Sequence, residues 1–443
     1  MATTTGTTSI WPPYLHEASQ CMGCGTCLHS CPVYGQELRE ELSARGRNNR
    51  IQSLLNMRGD TDALADLSRC LLCGRCTMVC PRGLRNDLVV AELRRLAVEK
   101  TGLPAGKKLA FRVLLKDRKA LGALLRIAAP FQGIVPRTAT VQVGLAGQNS
   151  ETTPIRHLPE LLPRFAKGRH IPSIAKKFLS ELLPEINDAP GETTLGKTPL
   201  TVLYFSGCAT EFFLPETGRA VVRLLHEAGI NVVFPKSQGC CGLAVHANGD
   251  GKTARAMALH NVAVFEKYQA DLIVTGCATC GSAMRDLWPT LAGTTEEKSL
   301  LKAVAAKVRD VSEVILAAAD QVNFSCQSNL PKGARVTWHE PCHLARIQKV
   351  SREPLTILRR TFTEDFQELE TQGCCGFGGS FNLYNYDLSR DIGAEKAASL
   401  RKSGADHIVT ACPGCLIQLA DTMARHGLAG KIVHLAEAVT FRK

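Results

Sequence analysis

The chain of 443 residues is long enough for several domains, and its hydrophobic content of 45% is ordinary for a globular protein. Its formal net charge is +12, but the most basic stretch has few aromatic residues for base stacking, which argues against nucleic-acid binding. Residues 1–13 lack the segments of a signal peptide, and no apolar run approaches the length of a bilayer span. We therefore expect a cytoplasmic protein, with the inner face of the membrane as an alternative location.

The first predicted domain, residues 14–100, contains two cysteine runs of identical spacing. Both read Cys-x2-Cys-x2-Cys-x3-Cys-Pro. In two-cluster ferredoxins the first three cysteines of a run hold one [4Fe–4S] cluster, and the fourth crosses to the other cluster. The runs predict two cubane clusters, one on Cys21, Cys24, Cys27 and Cys80, the other on Cys70, Cys73, Cys76 and Cys31. A zinc ribbon is the alternative, although zinc needs only four ligands.

Helical patterns occupy the rest of this domain, at residues 36–57, 61–68 and 88–100. Residues 101–198 follow with nine prolines and no cysteine, and we expect a basic helical linker region there. Between positions 105 and 177 there are 14 Lys/Arg residues against three acidic ones. A solvated helical face, a surface for an acidic partner subunit and a surface for anionic lipid all fit this charge.

From residue 201 onward the chain repeats itself. Three cysteines recur 134 residues later and two recur 135 residues later. The first copy has Cys208, Cys240, Cys241, Cys277 and Cys280, and the second has Cys342, Cys374, Cys375, Cys412 and Cys415. Flanking residues match as well, since Gln-Gly-Cys-Cys-Gly stands at both 238–242 and 372–376. The pattern predicts a duplicated domain, at residues 199–325 and 330–443.

Strand patterns alternate with helical patterns in the first copy. Strands are expected at residues 201–205, 231–234 and 272–275, and helices at 215–228 and 253–268. This alternation predicts βαβ units and a parallel sheet, where ligands gather at the carboxyl ends of the strands. The predicted fold class is α/β, with an α-rich N-terminal dicluster ferredoxin domain and two βαβ-type cysteine-rich domains.

Each copy offers five cysteines, one more than a cubane cluster or a tetrahedral zinc ion needs. An adjacent cysteine pair suits a more open cluster, in which one thiolate bridges two irons. Glycines flank both pairs, which lets the backbone approach sulfur closely. Zinc sites or buried packing cysteines remain the alternatives.

The five-cysteine pattern resembles the CCG domain of heterodisulfide reductases, in which five cysteines hold a non-cubane [4Fe–4S] cluster. The resemblance implies one such cluster on the five cysteines of each copy. Two ferredoxin motifs followed by two CCG domains resemble two related families. One is the fused catalytic subunit of membrane-type heterodisulfide reductase. The other is the iron–sulfur subunit of glycolate and D-lactate dehydrogenases, which partners a flavin-containing oxidase subunit.

No Gly-x-Gly-x-x-Gly motif follows a predicted strand, so FAD is expected on a partner subunit rather than on this chain. No acid–base pair for hydroxyacid oxidation is apparent, and no catalytic residue is assigned. By resemblance, the chain is the electron-transfer subunit of a flavin-dependent glycolate or D-lactate dehydrogenase. It would pass electrons between an FAD-linked oxidase/dehydrogenase subunit and a quinone, cytochrome or other acceptor. Cleavage of a disulfide at a non-cubane cluster is the alternative.

Three histidines stand close to these cysteines, His246 after the first adjacent pair and His339 and His343 on either side of Cys342. Their imidazoles would either assist a cluster by hydrogen bonding or proton delivery, or be satisfied by backbone groups. Cys326 belongs to no motif, and we expect a plain thiol in a polar loop.

Overall fold

The computed structural model describes residues 13–51, 66–145, 152–159, 168–189, 200–322 and 325–442. The helical patterns predicted at 36–57 and 61–68 therefore lie partly outside the described residues. No helix in these ranges is long and apolar enough to cross a membrane.

The strands follow one another in chain order. They are β1 (Arg137–Val143), β2 (Thr153–His157), β3 (His170–Pro172), β4 (Ile186–Asn187), β5 (Thr201–Tyr204), β6 (Asn231–Val233), β7 (Leu272–Thr275), β8 (Val308–Asp310), β9 (Ser325–Ser328), β10 (Val336–Trp338), β11 (Phe366–Gln367), β12 (His407–Thr410), β13 (Gly430–His434) and β14 (Val439–Arg442).

Helices fill the N-terminal third and separate the strands of both repeats. The α-helices are Pro13–Ala18, Thr26–Ser30, Pro32–Glu37, Ala44–Asn49, Arg75–Met78, Asn86–Thr101, Ala105–Leu109, Arg118–Ala128, Leu179–Leu182, Gly207–Phe212, Pro215–Glu227, Leu243–His246, Gly251–Phe265, Ala278–Ser282, Thr295–Lys307, Val311–Val322, Arg352–Phe362, Ser380–Tyr384, Tyr386–Ser403, Pro413–Arg425 and Leu435–Ala438. Turns of 3-10 helix are Glu40–Leu42, Ala129–Ile134, Trp288–Thr290 and Thr363–Asp365, and π-helical turns are Ala110–Leu115, Ala283–Leu287 and His343–Ile347.

Two sheets carry the repeated domains. One has the order β4-β6-β5-β7-β8, and the other has the order β11-β10-β12-β13-β1-β2-β3. The first copy contributes β6-β5-β7-β8 and the second β11-β10-β12-β13, and neighbours within each set of four are parallel. The two copies therefore share one strand order, and the predicted fold class with its duplication is confirmed.

Both faces of the central strands are covered. Val202, Leu203 and Tyr204 on β5 are each at most 1% exposed, and all four residues of β12 are buried. Burial of successive residues is typical of parallel strands between two helical layers. In each copy a central strand ends just before a Cys-x2-Cys pair. β7 ends two residues before Cys277, and β12 ends two residues before Cys412.

The N-terminal helices pack in two places. Helix Asn86–Thr101 covers a small core with Leu15 and Leu67, to which it contributes Val89 and Leu93. A second apolar cluster joins this domain to the second copy, and its members include Val33, Leu42, Leu71, Phe381, Leu388 and Ile392. The cysteine runs are thereby held against the repeated domains.

The segment 101–198 differs from the helical linker predicted for it. It is helical over residues 105–115 and 118–134, but β1, β2 and β3 then extend the second sheet. β1 pairs in parallel with β13, and its residues Val141 and Val143 are buried. The prolines suggested a linker, yet at the edge of a sheet a strand tolerates proline, as Pro172 on β3 illustrates.

Cys326 also differs from its prediction. It lies on β9, opposite Phe441 of β14, and not in a loop. Burial raises the pKa of its thiol to about 11, as expected for a thiol with a packing role.

Candidate iron–sulfur centres

The first three cysteines of the N-terminal run and the last cysteine of the second run line one cavity. These are Cys21, Cys24, Cys27 and Cys80. Gly25 begins the helix that carries Cys27 in a left-handed conformation, with φ of 82°. That turn wraps the chain around the cavity, as a ferredoxin loop wraps a cluster.

The other four ferredoxin cysteines are also brought together. Burial raises the pKa of the Cys76 thiol well above its usual value, and the neighbouring Cys70, Cys73 and Cys31 add to the shift. The loop repeats the geometry of the first one, with Gly74 at φ of 72° before the helix Arg75–Met78. The structure therefore assembles both crossed sets that the spacing predicts.

The first set of repeat cysteines forms a continuous line of thiol contacts. The thiol of Cys208 contacts that of Cys240, Cys240 contacts the adjacent Cys241, and Cys241 contacts Cys280. Cys277 completes the line through its contact with Cys280. All five predicted residues of this copy thus converge, although they are drawn from three separate stretches of sequence.

The second set has the same arrangement. Cys342 contacts Cys374, which is hydrogen-bonded to Cys375. Cys375 Sγ lies 3.6 Å from Cys415 Sγ, and Cys415 contacts Cys412. The backbone N–H of Gly376 donates to Cys374 Sγ at 3.3 Å, a contact typical of sulfurs that bind iron.

The sets are neighbours as well. Cys412 of the second copy contacts Cys277 of the first copy, and a hydrogen bond to Cys277 lowers the pKa of Cys412 below its usual range. Cys73 of the ferredoxin domain faces Cys374, whose charge adds to the effect of burial in raising the pKa of Cys73 to about 12. The cysteine sets therefore form a series of neighbours that runs from the ferredoxin domain through the second copy to the first copy.

Iron–sulfur clusters fit these donor sets better than isolated thiols or zinc. Contact with Cys375 and Cys412, together with burial, raises the pKa of Cys415 well above its usual value, so these thiols do not ionise together without a compensating cation. Bound iron supplies that positive charge, and metal ligation requires the thiolate form. Five converging sulfurs exceed the four ligands of zinc.

The surroundings of the second set are positively charged. The Lys396 side chain is 1% exposed, and its Nζ has no hydrogen-bond partner among the described residues. Burial lowers the pKa of Lys396 to about 8, while the nearby Cys375 and Cys374 act in the opposite direction. Arg346, 4% exposed at its side chain, also approaches this set. Neither cation was predicted from the sequence.

The first set has no unpaired cation, among the described residues, at the position equivalent to Lys396. Arg118 is the cation near Cys208, but it forms a buried ion pair with Glu211. Asn261 takes the place that Lys396 has in the second copy, and its Oδ1 accepts a hydrogen bond of 2.7 Å from Gly239 N. Alignment of the two copies is the sequence signal that would have revealed this difference.

Two of the three predicted histidines, His246 and His339, are buried and not satisfied by backbone groups, whereas His343 is half-buried. Both ring nitrogens of His246 and of His339 lack hydrogen-bond partners among the described residues. Burial lowers the pKa of His339 to about 3 and that of His246 to about 4, so both imidazoles are neutral. His339 lies beside Cys375 and Cys415, with one ligand atom of each residue within 4.8 Å of the others. His343 lines the adjoining cavity.

His434 was not predicted, and it joins the two copies. Its Nδ1 accepts a hydrogen bond from Ala436 N at 3.1 Å, which leaves Nε2 protonated. That Nε2–H donates to the carbonyl oxygen of Gly276 at 2.8 Å, next to Cys277. Burial lowers the pKa of His434 to about 4.

A cavity of about 240 Å³ reaches the second set of sulfurs from the surface. Its inner wall includes Cys374 and Cys412, and its outer wall includes the partly exposed Tyr384. Lys107 stands there, with Nζ 4.0 Å from the centre of the Tyr384 ring and 3.0 Å from Asn248 Oδ1.

Residues 17–84 match the 4Fe-4S dicluster domain, and residues 202–285 and 336–420 match the cysteine-rich domain. The probable glycolate oxidase iron–sulfur subunit of Bacillus subtilis is 30% identical over 432 residues, which cover 95% of this chain and 93% of that protein. This chain belongs to the glycolate oxidase iron–sulfur subunit family. The resemblance stated from the motifs is confirmed.

Two other relatives place the glycolate oxidase iron–sulfur subunit family among related redox proteins. A subunit of the fumarate reductase (CoM/CoB) of Methanothermobacter marburgensis is 27% identical over 94% of this chain and 71% of that protein. Lactate utilization protein A of Geobacillus sp. (strain WCH70) is 28% identical over 55% of this chain and 100% of that protein. These similarities support [4Fe–4S] clusters as the cofactors of the chain.

Proposed function

We propose that this chain is the electron-transfer subunit of a flavin-dependent 2-hydroxyacid dehydrogenase complex, acting on glycolate or D-lactate. It would relay electrons between a flavoprotein partner, which carries the FAD, and a quinone or other acceptor. The observation that carries the proposal is the contact series from Cys73 to Cys374 and from Cys412 to Cys277. A series of adjacent iron-binding sites is what one-electron transfer over a distance requires.

The proposed ligand sets are the four described above. The two ferredoxin sets would each hold a cubane cluster, and the two repeat sets would each hold a non-cubane cluster. When bound, the clusters supply one-electron oxidation and reduction. The protein contributes buried cysteines, N–H groups such as that of Gly376 aimed at sulfur, and the charge of Lys396 near the second repeat set.

The relatives support the choice of substrate class. The Bacillus subtilis relative is named for glycolate oxidase and the Geobacillus relative for lactate utilization. Hydride removal from a 2-hydroxyacid needs an acceptor such as a flavin, and we propose that a separate FAD-linked subunit carries it. We also propose domain boundaries at 14–100, 101–198, 199–325 and 330–443.

The test is reduction by substrate in the presence of the flavoprotein. The iron–sulfur protein, purified without oxygen, is mixed with its FAD-linked partner and with glycolate or D-lactate, and the visible absorbance of the clusters is followed. We expect bleaching that requires both the flavoprotein and the hydroxyacid. Omission of either one is the control, and absence of bleaching in the complete mixture would contradict the proposal.

Disulfide cleavage is the second candidate function. It is favoured by the cavity that reaches Cys374 and Cys412, and by the full set of five cysteines in both copies. Reoxidation of the reduced protein by a small disulfide, without any response to hydroxyacids, would favour this function over the first.

A further inference from the structure

The helical segment 105–134 exposes apolar side chains on its outer surface. Ile134 is 82% exposed, Ile127 68% and Phe131 66%. The other exposed large apolar side chains of the segment are Leu109, Val113 and Leu124. We call these six residues the apolar patch. Several large apolar side chains exposed on one segment indicate an interaction surface.

The apolar patch is held in place from behind. Gly122 on helix Arg118–Ala128 packs against the rings of Phe212 and Phe178, where a Cβ would lie 3.4 Å from the Phe212 ring. Gln132 and Ile174 exchange two hydrogen bonds, of 3.1 and 2.8 Å. These contacts hold segment 105–134 against the rest of the protein. The apolar patch on its outer side is therefore a fixed surface.

The rim of the patch is basic. Between positions 105 and 137 there are eight Lys/Arg residues and one acidic residue, Asp117. Asp117 caps its own helix by accepting from the backbone N–H groups of Lys119 and Ala120. Lys108, Lys116 and Lys119 are exposed and form no side-chain ion pair among the described residues. Their charge is available to an anionic partner.

We propose that the apolar patch and its lysines bind the surface of an anionic lipid bilayer. Aliphatic and phenylalanine side chains would enter the interface, and the lysine stems would lie along them with their ammonium groups at the headgroups. Protein–protein interfaces are enriched in Tyr, Trp, Phe, Met and Arg and depleted in Lys. The patch has one aromatic residue, Phe131, and no Tyr, Trp or Met, and three of the four exposed cations without an ion pair among the described residues are lysines, Arg137 being the fourth. Its composition therefore matches lipid better than an acidic protein.

Bilayer binding goes beyond the proposed function. It does not depend on which molecule donates electrons to the chain. Lys107 lies on the same helical segment and lines the cavity that reaches the second set of sulfurs. Docking of the patch would place the segment that contributes Lys107 to this cavity at the membrane, where a lipid-soluble acceptor is dissolved.

The experiment is cosedimentation of the intact protein, with its clusters and without oxygen, with vesicles of phosphatidylcholine alone or mixed with phosphatidylglycerol. We expect binding to the mixed vesicles that weakens with salt, and much weaker binding to phosphatidylcholine. The K116E/K119E variant should bind at least about 25-fold less, since each lysine near an anionic surface contributes a factor of about five and each glutamate adds repulsion. The F131S/I134S variant should lose at least about tenfold, because it removes buried apolar area.

Matched variants elsewhere serve as controls. K298E/K302E reverses two exposed lysines of helix Thr295–Lys307, and Ile186→Ser removes an isoleucine that is 55% exposed on β4. Both should bind mixed vesicles as the unchanged protein does, and all variants should keep the visible spectrum of the clusters. Absence of vesicle binding, or equal loss in the controls, would overturn the proposal. Vesicle binding that survives in the patch variants, with loss of the flavoprotein partner instead, would identify a protein interface and also overturn it.

Discussion

Cys277 and Cys412 occupy equivalent positions in the two copies of the repeat, and their thiols are in contact. The backbone is joined at the same place, because Ala278 N donates to Ala411 O at 3.2 Å. The reciprocal hydrogen bond is not possible, since Pro413, the equivalent of Ala278, has no N–H. The two repeat sites are thus direct neighbours rather than independent centres.

Because Cys277 and Cys412 are in contact, we expect that loss of a ligand at one repeat site changes the properties of the other site. Cys412→Ser should remove about four irons per chain and alter the EPR signal of the first repeat site. Cys326→Ser is the control, because Cys326 lies on β9 away from every cysteine set, and it should change neither property. Iron and sulfide analysis with EPR is the measurement. Full iron content in Cys412→Ser would contradict the ligand assignment.

The buried charge of Lys396 predicts unequal reduction potentials in the two copies. A positive charge near a cluster favours the reduced state, so Lys396→Met should lower the potential of the second repeat site by roughly 50–100 mV. Lys402→Met, on the exposed side of the same helix, is the matched control and should have little effect. Redox titration followed by EPR separates the sites. An unchanged potential in Lys396→Met would show that this charge is compensated.

Docking of the ferredoxin domain predicts different effects for two similar glycines. Gly74 and Gly83 both have positive φ, at 72° and 66°, but a Cβ on Gly74 would lie 2.6 Å from Ile347 Cδ1, whereas Gly83 has no neighbour within 4 Å. Gly74→Ala should destabilise the protein by about 0.5–1.5 kcal/mol more than Gly83→Ala, because the end of the Ile347 side chain must leave its rotamer. Chemical unfolding without oxygen, followed by cluster absorbance, measures both variants. Equal destabilisation would mean that the overlap with Ile347 is relieved without cost.

Buried Glu437 predicts a loss of stability above neutral pH. Burial raises its pKa to about 7, while its carboxylate accepts hydrogen bonds from Thr217 Oγ1 and His434 N. In the unfolded chain the pKa of a glutamate is near 4.3. The higher pKa of Glu437 in the folded protein therefore stabilises the fold fully below about pH 4.3, and this stabilisation is lost as the pH rises through 7. Through this group, the free energy of unfolding should fall by about 1.4 kcal/mol between pH 6 and pH 8.

Glu437→Gln places a neutral side chain at this position at every pH. It should therefore reduce the fall in the free energy of unfolding between pH 6 and pH 8. Glu370→Gln, at an exposed position, is the control and should leave the profile unchanged. The midpoint of urea unfolding at pH 6 and pH 8 is the measurement. A profile that is as steep in Glu437→Gln as in the unchanged protein would contradict the predicted shift.

Local spacing was enough to predict both ferredoxin sets, the duplication and the strands before Cys277 and Cys412, because these features repeat within the sequence. Contacts between elements far apart in the chain were not predictable in this way. The pairing of β1 with β13 depends on an open sheet edge, and the position of Lys396 depends on how helix Tyr386–Ser403 packs over Gly373. Comparison of the copies, with Asn261 in place of Lys396, would have indicated the second feature.

Metal analysis of the protein purified without oxygen tests the central claim most directly. Four cysteine sets that each hold a [4Fe–4S] cluster predict about sixteen irons and as many acid-labile sulfides per chain. The reduced protein should also give EPR signals from more than one kind of cluster. Stoichiometric zinc with little iron would contradict the assignment of all four sites.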